Sequence, residues 1–288
     1  GSDFASVTYE AARGEVATYT EASLPAVYGD RRANRGFEGM AFNSTDGLLY
    51  AFVQSPLRPD GYENTEFIRV LAINPATGAP EAEYLHLLGP DAGVDKIGDA
   101  VYDAERQRFL IIERDSNTGS TANKAVVELD LTGATNVLNQ DWSTTLGVSQ
   151  PELLDTTSIA DALKAAGVQM VQRTELLNIP SLGADPAFDK PEGLALKPDG
   201  SLVVFNDNDF VAVEGRADNV ATVISFTPTP IDTSDKSEAG GELGVKNVYG
   251  LPMADGITAF QAGGQTYVMV AGEGDDRDES GDSTHGVL

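Results

Sequence analysis

The sequence predicts an all-β chain organised as a β-propeller, in units of four antiparallel strands, and three observations carry that prediction. A hairpin pattern recurs four times, two further strand-like runs follow at least the first three copies, and the turns hold residues suited to tight reversals. The copies are "FEGMAFNSTDGLLYAFVQS" from Phe37, "GDAVYDAERQRFLIIERDS" from Gly98, "KPEGLALKPDGSLVVFNDND" from Lys190 and "ADGITAFQAGGQTYVMVAGEGDD" from Ala254. Each contains an acid, an apolar run, a turn, a second apolar run and a polar or acidic exit.

In chain order, "ASVTYEAA" and "EVATYTEASL" are strand candidates with no neighbouring partner. The first hairpin turns at "NSTDG" and is followed by "FIRVLAIN" and "EAEYLHLL", joined by "PATGAP". The second is followed by "KAVVELDL" and, beyond an insertion, by "VQMVQRTELLNI". Within that insertion "SIADALKAAG", residues 158–167, has helical spacing and accounts for the longer interval between acids. The third hairpin turns at "KPDG", where proline presets φ and glycine accepts positive φ, and "NVATVISFTPTPI" and "GVKNVYGLP" follow. The fourth turns at "QAGG" and the sequence ends at Leu288 before outer strands appear. Since a propeller removes unpaired edges by letting one terminus complete the blade begun by the other, residues 5–24 are expected to close the blade of residues 255–272. One domain of four blades over residues 1–288 results; the alternative is a piece of a larger propeller.

Forty-five acidic residues against 19 basic ones leave a net charge of −26. Such a surface repels nucleic acid and anionic membranes and gains from bound cations. With no cysteine there is no disulfide, thiolate metal site or thiol nucleophile. No apolar run approaches the ~20 residues of a membrane-spanning helix.

The repeated acids are Glu38, Asp99, Glu192 and Asp255, each at the start of a first strand. In a propeller that strand lines the central channel, so the four would stand in a ring. Three uses remain open: accepting hydrogen bonds from the next blade, holding calcium, or serving as catalytic acid or base, the last with Glu38 and Glu192 in mind. A second acidic level lies at the hairpin exits: Glu113 with Asp115, Asp207 with Asp209, and Glu273 with Asp275 and Asp276. "DRDESGD" begins like a calcium loop, with Asp276, Asp278 and Ser280 at alternate positions and Gly281 at the turn, but has Val287 where a glutamate would close it. The expected metal set is therefore Asp99, Glu113, Asp207, Asp209, Asp255, Glu273, Asp275, Asp276 and Asp278, for calcium. Cations placed to hold a phosphate are Arg35, Arg58, Arg114 and Lys190, beside the hairpins. His86 and His285 read as peripheral, and no G-x-S-x-G elbow, phosphate-binding glycine loop or basic aromatic face is present.

"NRGFEGMAF", "LLYAFVQSPL", "RVLAINPATG", "FLIIERDS" and "KPEGLALKPDGSLVVFNDNDF" together resemble the phytase-like propeller family, described as "esterase-like activity of phytase", over roughly residues 34 to 210. The final quarter is similar to other secreted propellers in which an "EGD" segment follows a "GITAF" hairpin. The resemblance implies a secreted, periplasmic or cell-surface hydrolase of phosphate or carboxylic esters, assisted by calcium and acting on a small molecule. The competing class is a non-catalytic, calcium-stabilised propeller serving as an adhesion or ligand-binding module beside flanking domains of a larger extracellular protein.

Overall fold

The computed structural model describes residues 24–59, 66–90, 93–117, 121–180 and 190–207 in full, and the backbone of 5–6, 20–21, 220–226, 244–249, 256–262 and 265–271. The chain is mostly β, in antiparallel sheets with few helices. The first four-stranded sheet comprises β3 (Phe37–Asn43), β4 (Leu48–Val53), β5 (Phe67–Ile73) and β6 (Pro80–Leu87), in sequential order. The second contains β7 (Lys96–Asp103), β8 (Arg108–Arg114), β9 (Lys124–Asp130) and β10 (Gln172–Asn178). The third contains β11 (Lys190–Leu196), β12 (Leu202–Asp207), β13 (Val220–Phe226) and β14 (Gly244–Tyr249). The fourth hairpin is β15 (Gly256–Ala262) with β16 (Gln265–Ala271), and β1 (Ala5–Ser6) pairs with β2 (Thr20–Glu21). Most of residues 5–24 lies outside the described residues, and with it the expected closure of the last blade.

The turns follow local chemistry. Gly47 and Gly200 take φ of +77° and +80°, the left-handed region that glycine enters without steric cost. In the second hairpin Gln107 takes that conformation instead, at φ +56°, while the Asp103 carboxylate accepts from the Glu105 and Arg106 N–H groups.

Apolar side chains stack the sheets face to face. Ile68, Val70 and Ala72 of the first sheet pack against Ile97, Ile111 and Val127 of the second. Val101, Leu110 and Ile112 of the second meet Leu194, Leu202 and Val204 of the third. The first strands follow the same succession, with β3 beside β7, β7 beside β11 and β11 beside β15, while β15 also touches β3.

The insertion after β9 folds back onto the first sheet. Its helices are α1 (Trp142–Leu146), capped by Asp141, and α2 (Ile159–Ala165), capped by Ser158, whose oxygen accepts from the Asp161 N–H. Ile159 and Leu163, one turn apart and fully buried, join Trp142 and Val168 against Phe67 and Leu85. The Val137 and Val171 N–H groups donate to the Glu83 and Leu85 carbonyls, which closes the outer edge of β6. Strand β6 is thereby covered on both faces, so His86, which reads as peripheral in the sequence, is wholly buried.

Candidate functional site

Each repeated acid that the structure describes sits at a β-bulge. Register slips by one extra residue between Phe37 and Gly39 in β3, between Ile97 and Ala100 in β7, and between Pro191 and Gly193 in β11. The extra residue leaves the ladder and re-aims a side chain, which explains why an acid opens each of these three hairpins. Neighbouring glycines then let the first strands approach. A Cβ on Gly98 would meet the Pro191 carbonyl oxygen at 2.2 Å, and one on Gly39 would meet Ala100 Cβ at 2.9 Å.

Two of these acids, Asp99 and Glu192, join sheet to sheet. Asp99 accepts from the Ala100 N–H at 2.7 Å and, across to the third sheet, from the Leu194 N–H at 2.8 Å. Glu192 receives the Arg114 guanidinium from the exit of β8, an ion pair in which both side chains are buried. Glu38 is half-buried near Arg35, where burial, with Arg32 and Arg114 adding to it, lowers the guanidinium below its usual pKa. Asp255 lies outside the described residues. Lys190, at the start of β11, donates its N–H to Asn206 Oδ1 at 2.9 Å.

At the exit level, Glu113 and Asp207 each stand two residues beyond the partner of the residue that follows the acid, so they are equivalent, and Gln54 takes that place in the first sheet. Their surroundings differ. Glu113, 1% exposed, has Oε1 2.7 Å from His86 Nε2, and it accepts from Arg173 Nη2 at 2.7 Å and the Gly89 N–H at 3.1 Å. Burial would raise its pKa, but the hydrogen bonds and charges of His86 and Arg173 outweigh it and hold the carboxyl below its usual range. Asp115 accepts from the Asn117 and Asn123 N–H groups and from Lys124 Nζ, which ties the loop after β8. Asp209, Glu273, Asp275, Asp276 and Asp278 lie outside the described residues.

Arg173 opens onto a cavity of about 780 Å³ between the first two sheets. Arg32 and Arg58 also line it, as do Glu66 and Asp95, and Leu88, Val94 and Met170 provide apolar wall. Of the cations that the sequence offers for a phosphate, Arg58 and Arg32, the latter just ahead of Glu38, line this cavity, whereas Arg35, Arg114 and Lys190 do not. Asp95 is committed to Lys96 Nζ and to Arg32 Nη1, the latter at 3.4 Å. Burial opposes its charge, yet Lys96, Arg35 and Arg32 hold its carboxyl below the usual value. Lys96 is itself lowered, by burial first and then by Arg35 and Arg114, despite its bond to Asp95. Glu66 has no hydrogen-bond or ion-pair partner for its carboxylate among the described residues. A Cβ at Gly89 would meet Arg173 Nη2 at 2.7 Å, so a larger residue there would displace the guanidinium from its place against Glu113.

Arg173, Glu66 and His86 were not singled out as functional from the sequence. The available signals were a histidine inside an apolar strand, which needs a buried partner, and a glycine after "HLL" where a large side chain must pass.

The family described as "Phytase-like: Esterase-like activity of phytase" matches residues 7–210. The chain belongs to that family. Neither the curated proteins nor the solved structures gave a match. Calcium, which the phytase-like resemblance implies, finds no open acceptor position at two of the described carboxylates expected to hold it, Glu113 and Asp115. An ionised carboxylate has about four acceptor sites, and those of Glu113 and Asp115 are filled by N–H donors, while Asp99 serves two backbone amides. No group of three or more histidine, aspartate or glutamate side chains among the described residues is arranged to hold a metal ion. No helix among them is long and apolar enough to cross a membrane.

Proposed function

We propose that this phytase-like chain is a hydrolase of phosphate or carboxylic esters and that the reaction takes place in the cavity walled by Arg32, Arg58 and Arg173. The observation that carries it is convergence: three arginines from separate segments reach one concave site that also contains a carboxylate, Glu66, with no side-chain partner among the described residues. Guanidinium groups bind phosphate oxygens in paired hydrogen bonds and stabilise charge that develops there. Glu66 takes a proton from water as the water oxygen attacks phosphorus; the ester P–O bond breaks, and the alcohol leaves with a proton returned by Glu66. Asp95, tied to Lys96 and Arg32, positions Arg32.

A Glu66→Gln variant tests this. Hydrolysis of 4-nitrophenyl phosphate is expected to fall by roughly 10²–10⁴ in kcat with KM little changed; undiminished turnover would sink the assignment. The second reading, a non-catalytic binding module, is favoured by the commitment of Asp99, Glu113 and Asp115 to hydrogen bonds, and it expects ligand binding without turnover.

The family supports a propeller, and we infer that residues 5–24 complete the sheet of β15 and β16. Met40 and Phe42 on β3, 52% and 54% exposed, are the apolar surface such a blade would cover. Calcium is assigned in this scheme to the acid-rich run 273–278 as a structural ion, and a secreted or cell-surface location belongs to the same scheme. An unfolding midpoint that does not differ between EDTA and millimolar calcium would remove the ion.

A further inference from the structure

We infer that the substrate of this cavity is a phosphate monoester of an apolar alcohol, and not a polyphosphate or a neutral carboxylic ester; this rests on the hydrolase function proposed for the cavity. Charge sets the first limit. Arg32, Arg58 and Arg173 face Glu66 and Asp95 in the same cavity, and Arg173 is further offset by Glu113 behind it. Three cations offset by three carboxylates leave no surplus of positive charge, so the cavity holds at most one phosphate group, through guanidinium hydrogen bonds and not through net charge. A densely phosphorylated ligand needs many more cations, and a chain of net charge −26 repels it during approach. The arginines set the second limit, since a neutral ester presents no anion for three guanidinium groups to hold.

The wall supplies the third. Leu87, Leu88, Val94, Met170 and Val171 give the cavity an apolar side, continuous with the ends of β6 and the residues before β10. Met170 is half-buried, and its unbranched thioether adapts to variable apolar shapes. A volume of about 780 Å³ accommodates the alcohol body as well as the phosphate. The ligand is therefore an anionic head on an apolar tail, with the tail contributing binding energy that a polar alcohol lacks.

The experiment compares released inorganic phosphate from hexyl phosphate, glycerol 1-phosphate and inositol hexakisphosphate, with 4-nitrophenyl butyrate as the neutral ester. The two alkyl monoesters share a reacting group, so their ratio reports the tail. Hexyl phosphate is expected to lead glycerol 1-phosphate by about 10–100-fold in kcat/KM, the scale of a few buried methylenes. Met170→Ser should narrow that ratio. Equal or reversed preference, or faster release from inositol hexakisphosphate, overturns the substrate assignment while leaving the hydrolase intact; cleavage of the butyrate alone does the same. Calorimetric binding of hexylphosphonate against inositol hexakisphosphate covers the remaining case. If no ester is cleaved yet hexylphosphonate binds more tightly, the hydrolase is lost and the ligand class stands; if hexylphosphonate does not bind, the ligand class falls as well.

Discussion

Two of the carboxylate–guanidinium networks among the described residues, one closed and one open, put the same chemistry to different uses. In the first sheet, Arg69 donates Nε and Nη2 to Glu152 at 2.7 and 2.8 Å and Nη1 to Glu83 at 2.7 Å. The Tyr28 hydroxyl donates to the other Glu83 oxygen at 2.6 Å. Burial works against the Arg69 charge, yet Glu152 and Glu83 hold its pKa above the usual value, while burial and Glu83 push the Tyr28 phenol upward. In the second network Glu113 binds His86 and Arg173. The Arg69 side chain is 3% exposed and that of Arg173 is 20% exposed. The difference in access decides the role: the first network pins the N-terminal turn and the insertion to the sheet, and the second presents a cation to a cavity.

The sharpest way to break this comparison is Arg69→Met. It leaves Glu83 and Glu152 buried without their shared cation, and removing one member of such a group costs about 3–5 kcal/mol. Urea unfolding should register that loss, with cavity affinity for hexylphosphonate unchanged in the fraction that stays folded. An unaltered midpoint would mean that the closed network adds no more stability than an exposed pair, and the distinction would fail.

A smaller effect is expected from Glu113→Gln. The amide still accepts a hydrogen bond but cannot match the Arg173 charge, and stability should fall by about 1–3 kcal/mol, the cost of an imperfectly satisfied buried group. A purely structural Glu113 would show only that loss. As a residue that positions Arg173, it should also raise KM for hexyl phosphate several-fold at a kcat that changes less.

The sequence made the local features of this chain legible and left the cross-sheet ones hidden. Hairpins, the order of strands within each sheet and the Ser158-capped helix follow from alternation, turn residues and helical spacing, which act within a few neighbours. That an acid opens each hairpin was also visible, but the bulge that aims it was not, because an extra residue shows only once the partner strand is known. Arg173 meets Glu113 across 60 residues and Arg69 meets Glu152 across 83, and no local pattern encodes such pairs. "FIRVLAIN" and "EYLHLL" nevertheless carried a hint. A charged or titratable side chain inside a run buried on both faces must have a partner, even when the sequence does not say which.

The smallest expected effect is in the acid limb of stability, and it separates the networks by titration. The folded Glu113 carboxyl is held below its ordinary value of 4.5. The unfolded chain therefore binds that proton more readily than the folded one, so stability rises with pH through this range. The Glu113 contribution is complete above about pH 4.5 and is lost as pH falls toward the folded value. In Glu113→Gln this contribution is absent, so the variant should lose less stability than the wild type between pH 5 and pH 3, measured by urea midpoints at each pH. Parallel curves for the two proteins would show that Glu113 does not depend on its charge for holding Arg173, and the open network would then owe its geometry to hydrogen bonding alone.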